Sequence, residues 1–291
     1  RIMYWGIEQL QYDVYLNSLN SYYSFFIPTN NALLEYIDPC SYGKSQTQLF
    51  RFHYDGKRVN IEDRVWASIW NYDTATGEVG DSIGLADNNQ IRNRLKDILD
   101  THIVIGNVED GKTFYRTKGG TEIRVHNTNA GSNGMTVEGS YQMNESKPIP
   151  VSYIYDQTQG GNGKSYILET PILGTRQTVR DVLSSKPEFS KFLELMDGSG
   201  LFEIIHNKRN ACGGTNISVF NTYHYTIYVP TNESIEALQK SGKLPTWELV
   251  DTHEEVGNYA AKTRDSLQIV NFLKYHIQDN ALFIGAEEES G

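Results

Sequence analysis

The chain is poor in cysteine. Two occur in 291 residues, Cys40 and Cys212, too few for the disulfide framework that staples small secreted domains. They fall in different halves, and two unpaired thiols are the favoured reading over an interdomain bridge, which needs Cα atoms within about 7 Å. Basic residues are also scarce, with 26 Lys and Arg against 36 Asp and Glu and a net charge of −10. With no basic cluster to offset that balance, a phosphate backbone is repelled and nucleic acid is not an expected partner. No apolar run approaches the roughly 20 residues that cross a bilayer. The sequence also lacks a nucleophile elbow, an HExxH zinc pattern, a phosphate-cradling glycine loop and a CxxC pair. No enzymatic activity, metal or cofactor is therefore expected. "THEEVG" at 252–257 carries one histidine and two adjacent carboxylates on different helix faces, which reads as a solvated acidic helix start.

What is present is ordinary in amount and unusual in arrangement. Hydrophobic residues make up 38% and charged residues 21%, as in a globular protein, and the length has room for two domains. The 19 tyrosines lie largely in extended polar stretches with Asn, Ser and Thr, a composition common on secreted and surface proteins. The opening "RIMYWGIEQL" has neither a charged region before an apolar core nor a lipid-attachment cysteine, so any export signal is expected to have been removed or to lie upstream.

Two landmarks occur twice. "YYSFFIPTNNAL" (22–33) and "HYTIYVPTNESI" (224–235) each run an alternating strand into Pro-Thr-Asn and then begin a helix. Pro28 and Pro230 each withdraw a backbone donor and are expected to end their strand's ladder, and Thr29, Asn30, Thr231 and Asn232 are expected to cap the turn that follows. The second landmark is a helix ending in histidine, "IRNRLKDILDTHIVIG" around His102 and "DSLQIVNFLKYHIQDN" around His276. Ile91, Leu95, Ile98, Leu99 and His102 share one face, so each histidine is expected to be buried and structural, with a polar group of the Pro-Thr-Asn turn as its partner. The landmarks are offset by 230 − 28 = 202 and 276 − 102 = 174, which gives the first copy 28 extra residues, expected between about 40 and 89.

Strand-like pieces follow His102 as far as Gly174, whereas 15 residues follow His276. The domains are accordingly placed at 1–174, with the insertion around 40–89, and at 175–291, lacking its C-terminal strands. On this count the chain is expected to be an excerpt of a longer protein. The insertion holds Trp66, Trp70 and Tyr72. Two readings stay open for it: the tryptophans, spaced i and i+4, pack a helix onto the core, or they form an aromatic face for a sugar or protein partner.

The strand-turns "FFIPTNNAL" and "IYVPTNESI", the helices "LKDILDTHIV" and "IVNFLKYHI", "TVRDVLSSKPEFSKFLELM" between them and the strand pair "FYRTKGGTEIRV" together resemble the fasciclin-like domains. The resemblance spans nearly the whole chain as two tandem domains. It implies an α+β fold, each domain a small β-sandwich or wedge with helices packed around it. It also implies a non-enzymatic extracellular or cell-surface protein that serves adhesion or binds a protein or polysaccharide. Animal members carry a Tyr-His pair in a reported adhesion motif; Tyr275 and His276 match it, while the first copy has Thr101 and His102. The candidate ligand-binding residues are therefore Tyr275, His276, Trp66, Trp70 and Tyr72. Composition looks more like a bacterial surface protein, which implies a lipid anchor to an outer membrane outside this chain. The alternative function is an accessory lipoprotein of an outer-membrane nutrient (glycan) uptake complex, docked to its transporter.

Overall fold

The computed structural model describes residues 1–18, 20–41, 46–174, 179–201, 225–279 and 282. Strands and helices are mixed throughout, an α+β architecture. The described residues up to Gly174 form one compact unit and those from Val179 onward form another.

The first unit contains α1 (Ile2–Gln9), α2 (Asp13–Leu16), β1 (Tyr23–Pro28), β2 (Tyr36–Ile37), β3 (Thr47–Tyr54), β4 (Val65–Tyr72), β5 (Val79–Leu85), α3 (Asn88–His102), β6 (Ile103–Ile105), β7 (Phe114–Arg116), β8 (Glu122–His126), β9 (Thr136–Glu138), α4 (Ser140–Glu145), β10 (Ile149–Asp156) and β11 (Gly163–Leu168). Seven strands form one sheet in the order β6-β1-β11-β10-β9-β8-β7. Its two edge strands approach each other through a bridge between Val104 and Thr117, so the sheet rolls up rather than stacking on a second sheet as a sandwich. Phe26, Val104, Ile123, Val137, Val151, Tyr166 and Leu168 fill one cluster. A second cluster gathers Trp5 of α1, Phe25 of β1, Leu95 and Leu99 of α3, and Phe50, Phe52 and Ala67 from a separate sheet, β2-β3-β4-β5. Three of its strands, β3, β4 and β5, lie within residues 40–89, while β2 precedes that stretch.

The second unit contains α5 (Val179–Ser184), α6 (Ser190–Ser199), β12 (Tyr225–Ile227), α7 (Asn232–Lys240), α8 (Trp247–Glu255), α9 (Tyr259–Tyr275) and β13 (Ile277–Asp279). Phe192, Leu195, Met196, Ile235, Val250, Ile269 and Leu273 form its core. Gly198 fits beneath the Trp247 indole, where a Cβ would overlap the ring.

Both units build the same strand pair. β1 lies antiparallel to β6 with Tyr23 opposite Ile105 and Phe25 opposite Ile103; β12 lies antiparallel to β13 with Tyr225 opposite Asp279 and Ile227 opposite Ile277. Adding 202 to one strand and 174 to the other converts the first register into the second.

The two prolines end their strands differently. Pro28 is the last residue of β1 and lies opposite Leu168 of β11, as expected. Pro230 does not end a ladder, which corrects the expectation for the second copy: β12 already stops at Ile227, and one further bond, from the Tyr228 amide to the His276 carbonyl at 2.8 Å, precedes the proline. The reason lies in the neighbours. β11 runs parallel to β1 as far as Leu168, whereas β12 has only the short β13 beside it among the described residues.

The Pro-Thr-Asn turns do other work than capping their own helices. Asn30 accepts from the Ile2 amide (3.2 Å) and the Arg1 terminal amine (3.1 Å), at the start of α1. Asn232 accepts from the Lys191 amide (2.9 Å) and donates to the Pro187 carbonyl and Ser190 hydroxyl, at the start of α6. In each unit the asparagine clamps the N-terminus of an earlier helix, whose first amides lack intrahelical partners. Thr29 behaves closer to expectation, accepting from the Ala32 amide at 3.3 Å, while Thr231 makes no side-chain cap and bonds the Ser234 hydroxyl at 3.2 Å.

Two further expectations are corrected. His102 is bonded to backbone outside the turn: its Nδ1–H donates to the Ile98 carbonyl (2.6 Å) and its Nε2 accepts from the Ile172 amide (2.9 Å), which fixes one neutral tautomer. Those two bonds fasten the end of α3 to the segment leaving β11. His276 repeats the first, 2.8 Å to the Phe272 carbonyl. Cys40 is disulfide-bonded, and the one other cysteine in the sequence, Cys212, lies outside the described residues. The favoured reading of two free thiols is therefore corrected for Cys40.

Replacing His102 by Ala strands the buried Ile172 amide and opens a cavity, and is expected to cost about 2–4 kcal/mol. Urea unfolding of the variant beside the parent measures it.

Candidate functional site

β4 alternates Val65, Ala67 and Ile69, all buried, with Trp66, Ser68 and Trp70, all partly exposed. That period of two puts the tryptophans on a strand, not a helix, and on the sheet face turned away from the core. Tyr72 continues the same face. Across the antiparallel ladder His53 pairs with Trp66, Arg51 with Ser68, Leu49 with Trp70 and Thr47 with Tyr72. Opposite residues of such a pair share a face, so the outer surface of β3 and β4 collects three aromatic rings, a histidine and an arginine.

These side chains are ordered by one another. The His53 ring stacks on Trp66 with centroids 4.2 Å apart and planes at 20°, and the Arg58 guanidinium lies 5.8 Å from the same indole. The Arg51 guanidinium lies 4.8 Å over the Trp70 ring, and the Trp70 indole N–H donates to the Ser68 hydroxyl at 2.9 Å. Burial, and secondarily the Arg51 charge, hold His53 below its ordinary value, so it is neutral at pH 7. β5 extends the sheet beyond this face with every residue exposed; Val79, Ile83 and Leu85 (71%) are apolar on a free edge.

The sheet is seated on α3 by buried charge. Asp38, just past β2, receives Arg94 Nε at 3.1 Å and a second guanidinium nitrogen at 2.9 Å. Asp38 also accepts from the Cys40 amide, and its own amide donates to the Gln48 carbonyl in β3. One helical turn on, burial raises Asp97 to about 7, only partly opposed by the Tyr36 hydroxyl that donates to it at 3.3 Å. A cavity of about 20 Å³ adjoins it, lined by Tyr36, Thr101 and Ile172 among others, room for about one water. Burial also raises Asp100, but hydrogen bonds from Lys118, Lys96 and Tyr12 outweigh that and hold it low. These carboxylates are partnered inside the fold and present nothing to a ligand. Among the described residues no group of three or more His, Cys, Asp or Glu is placed to hold a metal.

The Tyr275–His276 pair is divided by the structure. Tyr275 is 92% exposed at the end of α9, while His276 packs its ring against Phe272 (4.4 Å) and Phe192 (6.0 Å). Trp66, Trp70 and Tyr72 come together; Tyr275 and His276 face different surroundings. Arg51 and His53 were missed in the sequence, although their alternation with Phe50 and Phe52 marks them as the outer residues of an amphipathic strand.

The described residues thus define a two-unit α+β protein whose first unit carries an aromatic and cationic sheet face. No family model matches the chain, and no curated protein matches it. Among solved structures it is similar to a FAS1 domain pair from the insect cell adhesion molecule fasciclin I, at 16% identity and a TM-score of 0.33, over 94% of this chain and 71% of that one. So loose an overlap carries no argument, and the reading below rests on the residues.

The raised Asp97 makes a pH prediction. An acid protonated in the folded state but ionised in the unfolded one destabilises the fold as pH rises from about 4 through 7. Asp97→Asn removes that penalty and is expected to be near neutral at pH 4, yet to stabilise by about 2 kcal/mol or more at pH 8. Denaturant melts of both proteins at the two pH values check it.

Proposed function

We propose that this chain is a non-enzymatic, extracellular or cell-surface binding protein built from two fasciclin-like domains, which holds a polysaccharide or protein partner on the outer face of the β3–β4 ladder. The observation that carries the reading is that face. Aromatic rings and arginines supply large contact area at low conformational cost, and here they are arrayed on two strands that pair with each other along their whole length. The face belongs to the element that the second unit does not share, so it is an addition to the common frame. That frame supports the fasciclin-like assignment through the matching strand registers, the two asparagine clamps and the two histidines bonded to the carbonyl four residues back.

The disulfide at Cys40 supports a location outside the reducing cytosol, since such bonds persist in oxidising compartments. No described helix is long and apolar enough to cross a membrane; attachment through a lipid anchor outside this chain, to a bacterial outer membrane, is part of the proposal. Acidic net charge argues against nucleic acid as partner.

A second reading, an accessory subunit of an outer-membrane nutrient-uptake complex, is favoured by β5. Its fully exposed edge, with Ile83 and Leu85 uncovered, suits addition of a strand from a transporter.

The test is Trp66→Ala with Trp70→Ala, compared with Tyr275→Ala, in the intact chain. Retention on native surface extract is expected to fall at least tenfold in the double variant, with the melting temperature nearly unchanged, and to survive at Tyr275→Ala. Unchanged retention in the double variant would refute the proposed face.

A further inference from the structure

We infer that the β3–β4 face selects an acidic saccharide, one that bears carboxylates, with Arg51 as the residue that reads the charge. The inference rests on the binding face proposed above and names its ligand class. Arg94, Arg116, Arg124, Arg180 and Arg264 each have a carboxylate within 3.0 Å. The Arg51 side chain has neither an ion pair nor a hydrogen bond to any described residue, and its one polar contact is with the Trp70 ring, 4.8 Å away. Arg1 and Arg64 also lack a carboxylate among the described residues, but neither lies between the two tryptophans of β4.

Its position is also defined. With its guanidinium over Trp70 and its N–H donors unused by any described residue, Arg51 can offer a carboxylate two parallel hydrogen bonds. The Arg51–Ser68 pair falls between the His53–Trp66 pair and the Leu49–Trp70 pair. The charge-reading group is therefore flanked by indoles roughly 13 Å apart along β4, at about 3.3 Å per residue. A ligand spanning both rings passes over Arg51.

The same geometry favours a sugar over an extended peptide. The main-chain donors and acceptors of β3 and β4 lie in the plane of the sheet, where the two strands bond each other along their whole length, so the face itself offers rings, a guanidinium and the Ser68 hydroxyl but no main-chain partners. A peptide strand laid on it would bury its own amides without partners. A pyranose places C–H groups against a ring and keeps its hydroxyls at the rim in water. His53, neutral at pH 7, adds surface without competing for the anion.

The test is calorimetric titration of the intact chain with a galacturonic acid trimer, its methyl-esterified counterpart and hexaglutamate. The acid trimer is expected to bind at least tenfold more tightly than the ester and the peptide. Arg51→Ala is expected to abolish that preference while leaving the melting temperature unchanged, and Arg51→Lys to keep part of it. Equal binding of acid and ester, unaltered binding by Arg51→Ala, or hexaglutamate binding as tightly as the sugar would each overturn the inference, as would no binding of either trimer. Equal binding of acid and ester that is still lost with both tryptophans would overturn the choice of ligand while leaving the binding face standing.

Discussion

The first unit depends on one buried ion pair. Asp38 and Arg94 meet with nearly all of both side chains out of water, at 2.9 Å. Taking two charges out of water is costly, and removing either partner alone leaves the other unsatisfied, a loss of about 3–5 kcal/mol. The pair recovers that cost through a forked contact and through the bonds Asp38 makes to the Cys40 amide and the Gln48 carbonyl. It joins the turn between β2 and β3 to the middle of α3, and so fixes which face of the four-stranded sheet meets the apolar core. With Phe50, Phe52 and Ala67 held against α1 and α3, His53, Arg51, Trp66 and Trp70 have only the outer face left.

α3 carries a second constraint at its end. His102 closes the helix onto the chain leaving the rolled sheet, and it does so as a neutral ring because burial lowers its value to about 4. Its contribution is present above the unfolded value of about 6.5 and is lost as pH falls through about 4, the reverse of the Asp97 effect over an overlapping range. The frame that both units share is thus a strand, a clamp on an earlier helix and a histidine-tipped helix. The proposed binding face is built on what only the first unit shows among the described residues.

Much of that frame was legible in sequence because its signals are local. Alternation before Pro28, the apolar stripe ending at His102 and two landmark offsets are enough to place the strand pairs in register. Where each strand stops was less legible: Pro28 and Pro230 carry the same local signal, but the length of the neighbouring strand decides whether the ladder reaches the proline. The roles of Asn30 and Asn232 were not legible, because each side chain reaches an amide 28 or 41 positions away. Arg94, Asp97 and Asp100 look like the wet side of an amphipathic helix, and only the fold shows that β2 and its turn meet Arg94 and Asp97 while Tyr12 and Lys118 meet Asp100. Trp66 and Trp70 misled through arithmetic: a spacing of four keeps two residues on one face in a strand as well as in a helix. Val65, Ala67 and Ile69 between and beside them held the deciding alternation. The pairing of Cys40 had no sequence signal at all.

The proposed function requires that ligand meet the outer face of β4. The chain has four tryptophans: Trp66 and Trp70 on that face, and Trp5 and Trp247 with their indole N–H groups bonded to the Ile61 and Leu195 carbonyls. A proton–nitrogen correlation spectrum of the four indoles, recorded while the galacturonic acid trimer is added, separates them directly. Saturable shifts of the Trp66 and Trp70 signals, with Trp5 and Trp247 unmoved, are the predicted result. Saturable binding that moves Trp5 or Trp247 and leaves Trp66 and Trp70 in place would contradict it.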